Sequence, residues 1–176
     1  MDALTDFIIP IVGLKLGEHS YQFEVDGLFF KEFDNTDLQE GCLQVDLILK
    51  KRPNLMELMF LVKGSVNCLC DRCGGDLKLP LNHQEMRIVK FSQEEFDNTD
   101  DVLVIGSEAH EINVSHIVYE TIILGLPIRK FHDQEMNGQI CDEEVIERLK
   151  EYQEKEETNS VDDRWSALKK LLTDKD

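Results

Sequence analysis

Residues 43–50 place Leu43, Val45, Leu47 and Leu49 in strict alternation with Gln44, Asp46, Ile48 and Lys50. A side-chain period of two buries one face of a strand and cannot form the stripe of a helix, so this stretch commits the chain to a sheet. After the turn-like Lys51-Arg52-Pro53-Asn54, a second extended run covers 55–68, which makes a hairpin with one face buried. Tyr21, Phe23 and Val25 alternate across an earlier strand, and a third extended segment, 77–91, follows a cluster of cysteines. Leu28-Phe29-Phe30 and Phe33 have the spacing of a short helix or turn packed on the sheet, and glycines at 13, 17, 27 and 41 punctuate these elements.

Further along the pattern changes period. Asp101-Val102-Leu103-Val104-Ile105 reads as a strand, and Asn113 can cap a helix that ends at Gly125, with Pro127 just beyond. Val114, Ile117, Val118, Thr121 and Leu124 form its inward stripe. The predicted core holds Val45, Leu47, Leu49, Phe60, Val62, Ile117 and Leu124. Asp142 can cap a second helix with Glu143 and Glu144 in its first turn and Val145, Ile146, Leu149 and Tyr152 on one face. The polar, acidic stretch near 154–161 predicts a flexible linker. Beyond it Trp165, Leu168, Leu171 and Leu172 recur at helical spacing among Arg164, Lys169 and Lys170. A helix of about ten residues is marginal alone, so this one must dock on its own domain or on something else, with Trp165 as the natural anchor. The fold expected is α+β: a mainly antiparallel twisted sheet with a packed helix over 1–141, and a helical, acidic C-terminal extension over 142–176.

Charge narrows the partners. Thirty-six acidic against nineteen basic residues leave the 176-residue chain at −17, which repels phosphate backbones and excludes a basic nucleic-acid-binding module. Between Phe91 and Ile128 there is no Lys or Arg but eight acids, Glu94, Glu95, Asp97, Asp100, Asp101, Glu108, Glu111 and Glu120, expected as a solvated loop and the outer face of a helix rather than an acidic docking surface. The longest apolar run, 7–14, is far short of the roughly 20 residues of a membrane helix, and acids precede it where an export signal carries Lys or Arg. A cytoplasmic protein is expected.

Five cysteines suit a reducing compartment, and three of them crowd into Cys68, Cys70 and Cys73. In Cys70-Asp71-Arg72-Cys73-Gly74-Gly75, two residues of spacing turn both sulfurs toward one tetrahedral ion, and the glycines permit the knuckle. The nearest candidates for the other half of such a site are His132 and Cys141, on either side of a loop, 133–140, that contains Asn137-Gly138. Three thiolates and one imidazole form a common structural zinc set. Two other readings remain. A thioredoxin-type redox pair shares the spacing, but its motif opens an apolar helix, whereas Gly-Gly-Asp-Leu-Lys-Leu-Pro-Leu turns into another strand. The thiols can also stand unligated in a structural turn. Cys68 is read as a neighbour of the site and Cys42 as a small core hydrophobe. His19, His83, His110 and His116 have no partner spacing, and no catalytic motif stands out.

The hairpin leading into Cys70-Asp71-Arg72-Cys73, the segment Glu120-Thr121-Ile122-Ile123-Leu124-Gly125-Leu126-Pro127, His132 with Cys141, and Arg164-Trp165-Ser166-Ala167-Leu168 together resemble the YceD family of bacterial and plastid large ribosomal RNA subunit accumulation proteins. The resemblance covers most of the chain. It implies a cytoplasmic, non-enzymatic factor in ribosome assembly and places Cys70, Cys73, His132 and Cys141 at the family's shared polar positions. A chain at −17 gains no counterion-release energy from RNA, so the leading expectation is protein contact with a basic ribosomal or assembly protein, with large-subunit ribosomal RNA reached indirectly. The competing expectation is direct RNA binding through the local basic clusters Lys50-Lys51-Arg52 and Arg129-Lys130.

Overall fold

The computed structural model describes residues 4–33, 38, 40–92, 102–135 and 137–157. A single 3₁₀ turn, Thr5–Phe7, leads into β1 (Ile8–Pro10). Then come β2 (Gly17–Val25), the short α1 (Gly27–Lys31), β3 (Glu40–Lys51), β4 (Leu55–Leu69) and β5 (Asp76–Ser92). The chain continues through β6 (Val102–Gly106), β7 (Glu111–Asn113), α2 (Ser115–Leu124) and α3 (Glu143–Glu157). The class is the α+β one read from the sequence.

Five strands form one sheet in the order β2-β3-β4-β5-β6, with every pair antiparallel except β5 and β6. The alternation sets its register. Val45 pairs with Val62 and Leu47 with Phe60, all four fully buried on the face that α1 and α2 cover, while Gln44 and Lys50 point to solvent. The parallel β6 is a departure from an all-antiparallel sheet; Val102 lies opposite Ile88 and Ile105 opposite Phe91. A second, two-stranded sheet joins β1 to β7, with Ile9 opposite Ile112, both buried. It closes the core beside an aromatic cluster in which Phe7 stacks on Phe23 at 5.0 Å and leans on Phe29 at 4.8 Å. Asp26 caps α1 by accepting from the Leu28 and Phe29 N–H groups, which turns Phe29 and Phe30 inward.

One glycine permits the long β3–β4 pairing. Gly64 has φ +147° opposite Leu43, and a Cβ there would stand 2.2 Å from the Cys42 carbonyl oxygen, so no side chain fits.

Four expectations need correction. Cys42 is exposed rather than a core residue, because on β3 it has the opposite parity to the buried Leu43 and Val45. Leu124 is 58% exposed, and Ile122, fully buried, takes its place against the sheet. The helix cap shifts: Asn113 ends β7, the N-cap position falls to Val114, and the Asn113 Oδ1 accepts from the Ser115 N–H at 2.9 Å. The expected linker near 154–161 gives way at its start, since α3 continues to Glu157. The remainder of that linker, the 162–172 segment with Trp165, and the acids at 93–101 lie outside the described residues. Of the other acids in that window, Glu108, Glu111 and Glu120 are exposed. No helix of the described residues is long and apolar enough to cross a membrane.

Candidate metal centre

β4 and β5 meet in a turn that closes on itself. The Cys70 N–H donates to the Gly75 carbonyl and the Gly74 N–H to the Cys70 carbonyl, each at 2.8 Å, while Gly74 adopts φ +72°, a conformation an L side chain resists. This knuckle points the Cys70 and Cys73 sulfurs to one side, toward the segment between α2 and α3. Two short bonds fix that segment in place: Asp71 N–H to the Lys130 carbonyl, and Lys130 N–H to the Asp71 carboxylate, both 2.6 Å. The Arg72 guanidinium lies 4.9 Å from the centre of the Phe131 ring and adds a cation–π contact across the same joint.

Within the 133–140 loop, Asn137 organises the backbone. Its Oδ1 accepts from the Asp133 and Gln139 N–H groups and its Nδ2 donates to the Phe131 carbonyl. Gly138, at φ +70°, completes the turn. The Gln139 amide then mimics a strand residue, donating to the Lys78 carbonyl at 2.8 Å and accepting from the Lys78 N–H at 3.4 Å. Loop and sheet are thereby aligned. Asp142 caps α3 by accepting from the Glu144 N–H, which sets Cys141 immediately before the helix.

The result brings all four sequence candidates together: one donor atom from each of Cys70, Cys73, His132 and Cys141 lies within 4.8 Å of every other. Cys70 Sγ is 3.8 Å from Cys141 Sγ, and Cys73 Sγ is 3.3 Å from His132 Nδ1. Zinc–sulfur bonds of about 2.3 Å and zinc–nitrogen bonds of about 2.0 to 2.1 Å imply tetrahedron edges of roughly 3.8 Å between two sulfurs and roughly 3.6 Å between sulfur and nitrogen. The Cys70–Cys141 and Cys73–His132 separations are close to those edges, and the other donor pairs lie within 4.8 Å. The imidazole is oriented as well, since its Nε2–H donates to the Asp76 carbonyl at 2.9 Å and leaves the Nδ1 lone pair facing the sulfurs. Cys70 and Cys141 are buried and Cys73 and His132 half-buried. This group could hold a metal ion.

The electrostatics favour thiolate on the knuckle. Burial raises the Cys70 thiol, but the backbone N–H groups of Cys73, Arg72 and His132 with the Cys73 thiol outweigh it and bring it down to about 6. Cys73 is lowered chiefly by the Asp142 and Gly75 backbone N–H groups. The Asp76 carbonyl, aided by the Cys73 thiol, raises His132, and Cys141 is raised by burial first and then by its two sulfur neighbours. Cys68 is buried on β4 outside the four-residue group. The partners missed from sequence are Asp76, which acts through its backbone carbonyl, and Asn137 and Gln139, whose side-chain amides bond backbone groups; only the Asn137-Gly138 pair left a trace there.

Comparison with protein families gives one match, the family described as large ribosomal RNA subunit accumulation protein YceD, over residues 58–172. The chain belongs to the YceD family. Its matched region contains both halves of the centre, α3 and the Trp165 segment, while β1, β2, α1 and β3 precede it. No curated protein and no solved structure matches this YceD-family chain.

Proposed function

We propose that this chain is a non-enzymatic, cytoplasmic factor that supports accumulation of large-subunit ribosomal RNA by binding a basic ribosomal or ribosome-assembly protein, and that Cys70, Cys73, His132 and Cys141 hold a structural zinc ion. Membership of a family named for that accumulation carries the first part. The four-donor geometry supports the second. With all four tetrahedral positions taken by side chains, no position remains for a water ligand, so the ion would join the β4–β5 knuckle to the 133–140 loop rather than perform hydrolysis.

Protein contact is favoured over direct RNA binding by what the basic residues already do. Lys51 donates to the Ile11 and Leu14 carbonyls, and Arg52 pairs with Glu57 at 2.8 Å, so the hairpin-tip cluster is partly engaged within the chain. Two experiments test the reading. Metal analysis of protein purified without chelator or metal-affinity resin should give about one zinc per chain, reduced alike by Cys70→Ser and Cys141→Ser. Capture from lysate should recover a basic large-subunit protein after nuclease treatment, less at high salt. Loss of all capture on nuclease treatment would instead establish RNA as the direct partner.

A further inference from the structure

The five-stranded sheet has two faces, and α1 and α2 pack on one of them. Strand pairing sets the side chains of the other face in rows. Ile48, Met59 and Met86 form one row across β3, β4 and β5, with Leu61 in the row on one side and Ile88 and Val102 in the row on the other. Met86 is 50% exposed in mid-strand, and its apolar neighbours are half-buried. Contiguous apolar side chains on an open sheet face mark a surface that meets a partner, and methionine is the side chain that adapts best to one.

We propose that this face is the contact between two copies of the chain, packed sheet on sheet about a two-fold axis. Charge favours a second copy. The outward set of β3, β4 and β5 holds four acids, Glu40, Asp46, Glu57 and Asp76, and four lysines, Lys50, Lys63, Lys78 and Lys90, so it is neutral on a chain at −17. Two such chains repel overall and approach most easily where charge is locally balanced. The pattern is also self-complementary. Lys50 and Asp46 each lie two residues along β3 from Ile48, in the rows on either side of it. A two-fold axis lying across the strands over the Ile48–Met59–Met86 row therefore sets Lys50 of each copy over Asp46 of the other, while the apolar row meets itself. Glu57, in the row of Lys50, is already paired with Arg52 at 2.8 Å, whereas the contacts of Asp46 are to the neutral Gln22 and Gln44 amides, at 2.9 and 3.3 Å. Extent suffices as well. With 12 residues in β3 and 15 in β4, a rise of about 3.3 Å per residue and a strand spacing of about 4.8 Å give the five-strand face on the order of 800 Å², what one partner contributes to a stable interface of standard size.

Sedimentation velocity of the full chain at tens of micromolar should give the mass of two chains of 20.4 kDa each. Met86→Lys should give a monomer with the wild-type circular dichroism spectrum. Lys50→Asp alone and Asp46→Lys alone each turn two attractions into two repulsions, and each should raise the dimer dissociation constant about tenfold or more; the double swap Lys50→Asp/Asp46→Lys should restore it. All these positions face away from the core under α1 and α2, and circular dichroism of each variant checks that the sheet is intact. A dimer indifferent to Met86→Lys and to both single reversals would overturn the proposal, as would a swap that fails to recover what the single reversals lose. So would a monomeric wild type; lysate capture that then disappears in Met86→Lys would make a different protein the occupant of the face. Zinc content plays no part in these readouts, and a dimer of this kind stands whether or not the partner proposed above is found.

Discussion

At His132 and Cys70 two opposite shifts meet in one cluster, and their linkage to stability can be separated. In the chelated protein, the folded-state pKa of Cys70 near 6 lies below its ordinary 9.0. Its contribution is therefore complete above 9.0 and is lost as pH falls through about 6. His132 has the reverse sign: its pKa is raised above 6.5, so its contribution is complete below 6.5 and is lost as pH rises through the elevated value. Melting temperature of chelated protein followed against pH should lose its rise between about 6 and 9 in Cys70→Ser, and lose an acid-side component in His132→Gln. Identical pH profiles for Cys70→Ser and wild type would refute the assignment. The four candidate donors were legible because cysteine and histidine are uncommon and the Cys70–Cys73 spacing is that of a metal knuckle. The Asp76 carbonyl that orients His132 was not, since any residue supplies a carbonyl. The exposed Cys42 could have been read correctly, as the parity that buries Leu43 turns its neighbour outward.

Among the elements, α2 separates what helical periodicity fixes from what it leaves open. The buried residues Val114, Ser115, Val118, Thr121 and Ile122 centre the contact arc between Val118 and Ile122, and Ile117 sits at its margin. At about 100° per residue, Leu124 falls on the far side of Ile117 and out of the arc. Four of the five stripe residues are thus buried, and the true arc is turned from the predicted one by only about half of one residue's rotation, toward Ile122. Ile122→Ala should cost about 2–5 kcal/mol, as burial without collapse of the cavity requires, whereas Leu124→Ala should stay within about 0.5 kcal/mol. Urea unfolding of the two variants decides it, and comparable losses would mean that α2 is rotated. The long β3, β4 and β5 strands were readable because many alternating residues agree. The three-residue β1 and β7 were not, for a segment of that length has no period to detect.

Over the whole molecule, the four-donor centre, the hydrogen bonds beside it and the β1–β7 pair connect distant segments. Neither the sheet's register nor the aromatic cluster depends on the first, so chelation should release the 133–140 loop while the sheet persists. Limited proteolysis after chelation should cut within 133–140 and spare residues 40–92; cleavage throughout, or a loop equally resistant with and without chelator, would contradict this. The parallel β6 escaped sequence reading because strand direction is set by the connection, which alternation does not encode. The β1–β7 pair has a further bearing on how the protein is made. Ile9 leaves the ribosome early, yet its hydrogen-bonding neighbour Ile112 is translated only after the five-stranded sheet is complete in sequence. Long-range closure of this kind is entropically deferred behind local hairpins, so during vectorial synthesis the first strand waits for the seventh with Ile9 unpaired. Nascent chains stalled before residue 112 emerges should protect hairpin amides from hydrogen exchange and leave that of Ile9 open; early protection at Ile9 would reverse the order. The N-terminal strand is thus made first but can pair only after nearly two thirds of the chain has been translated.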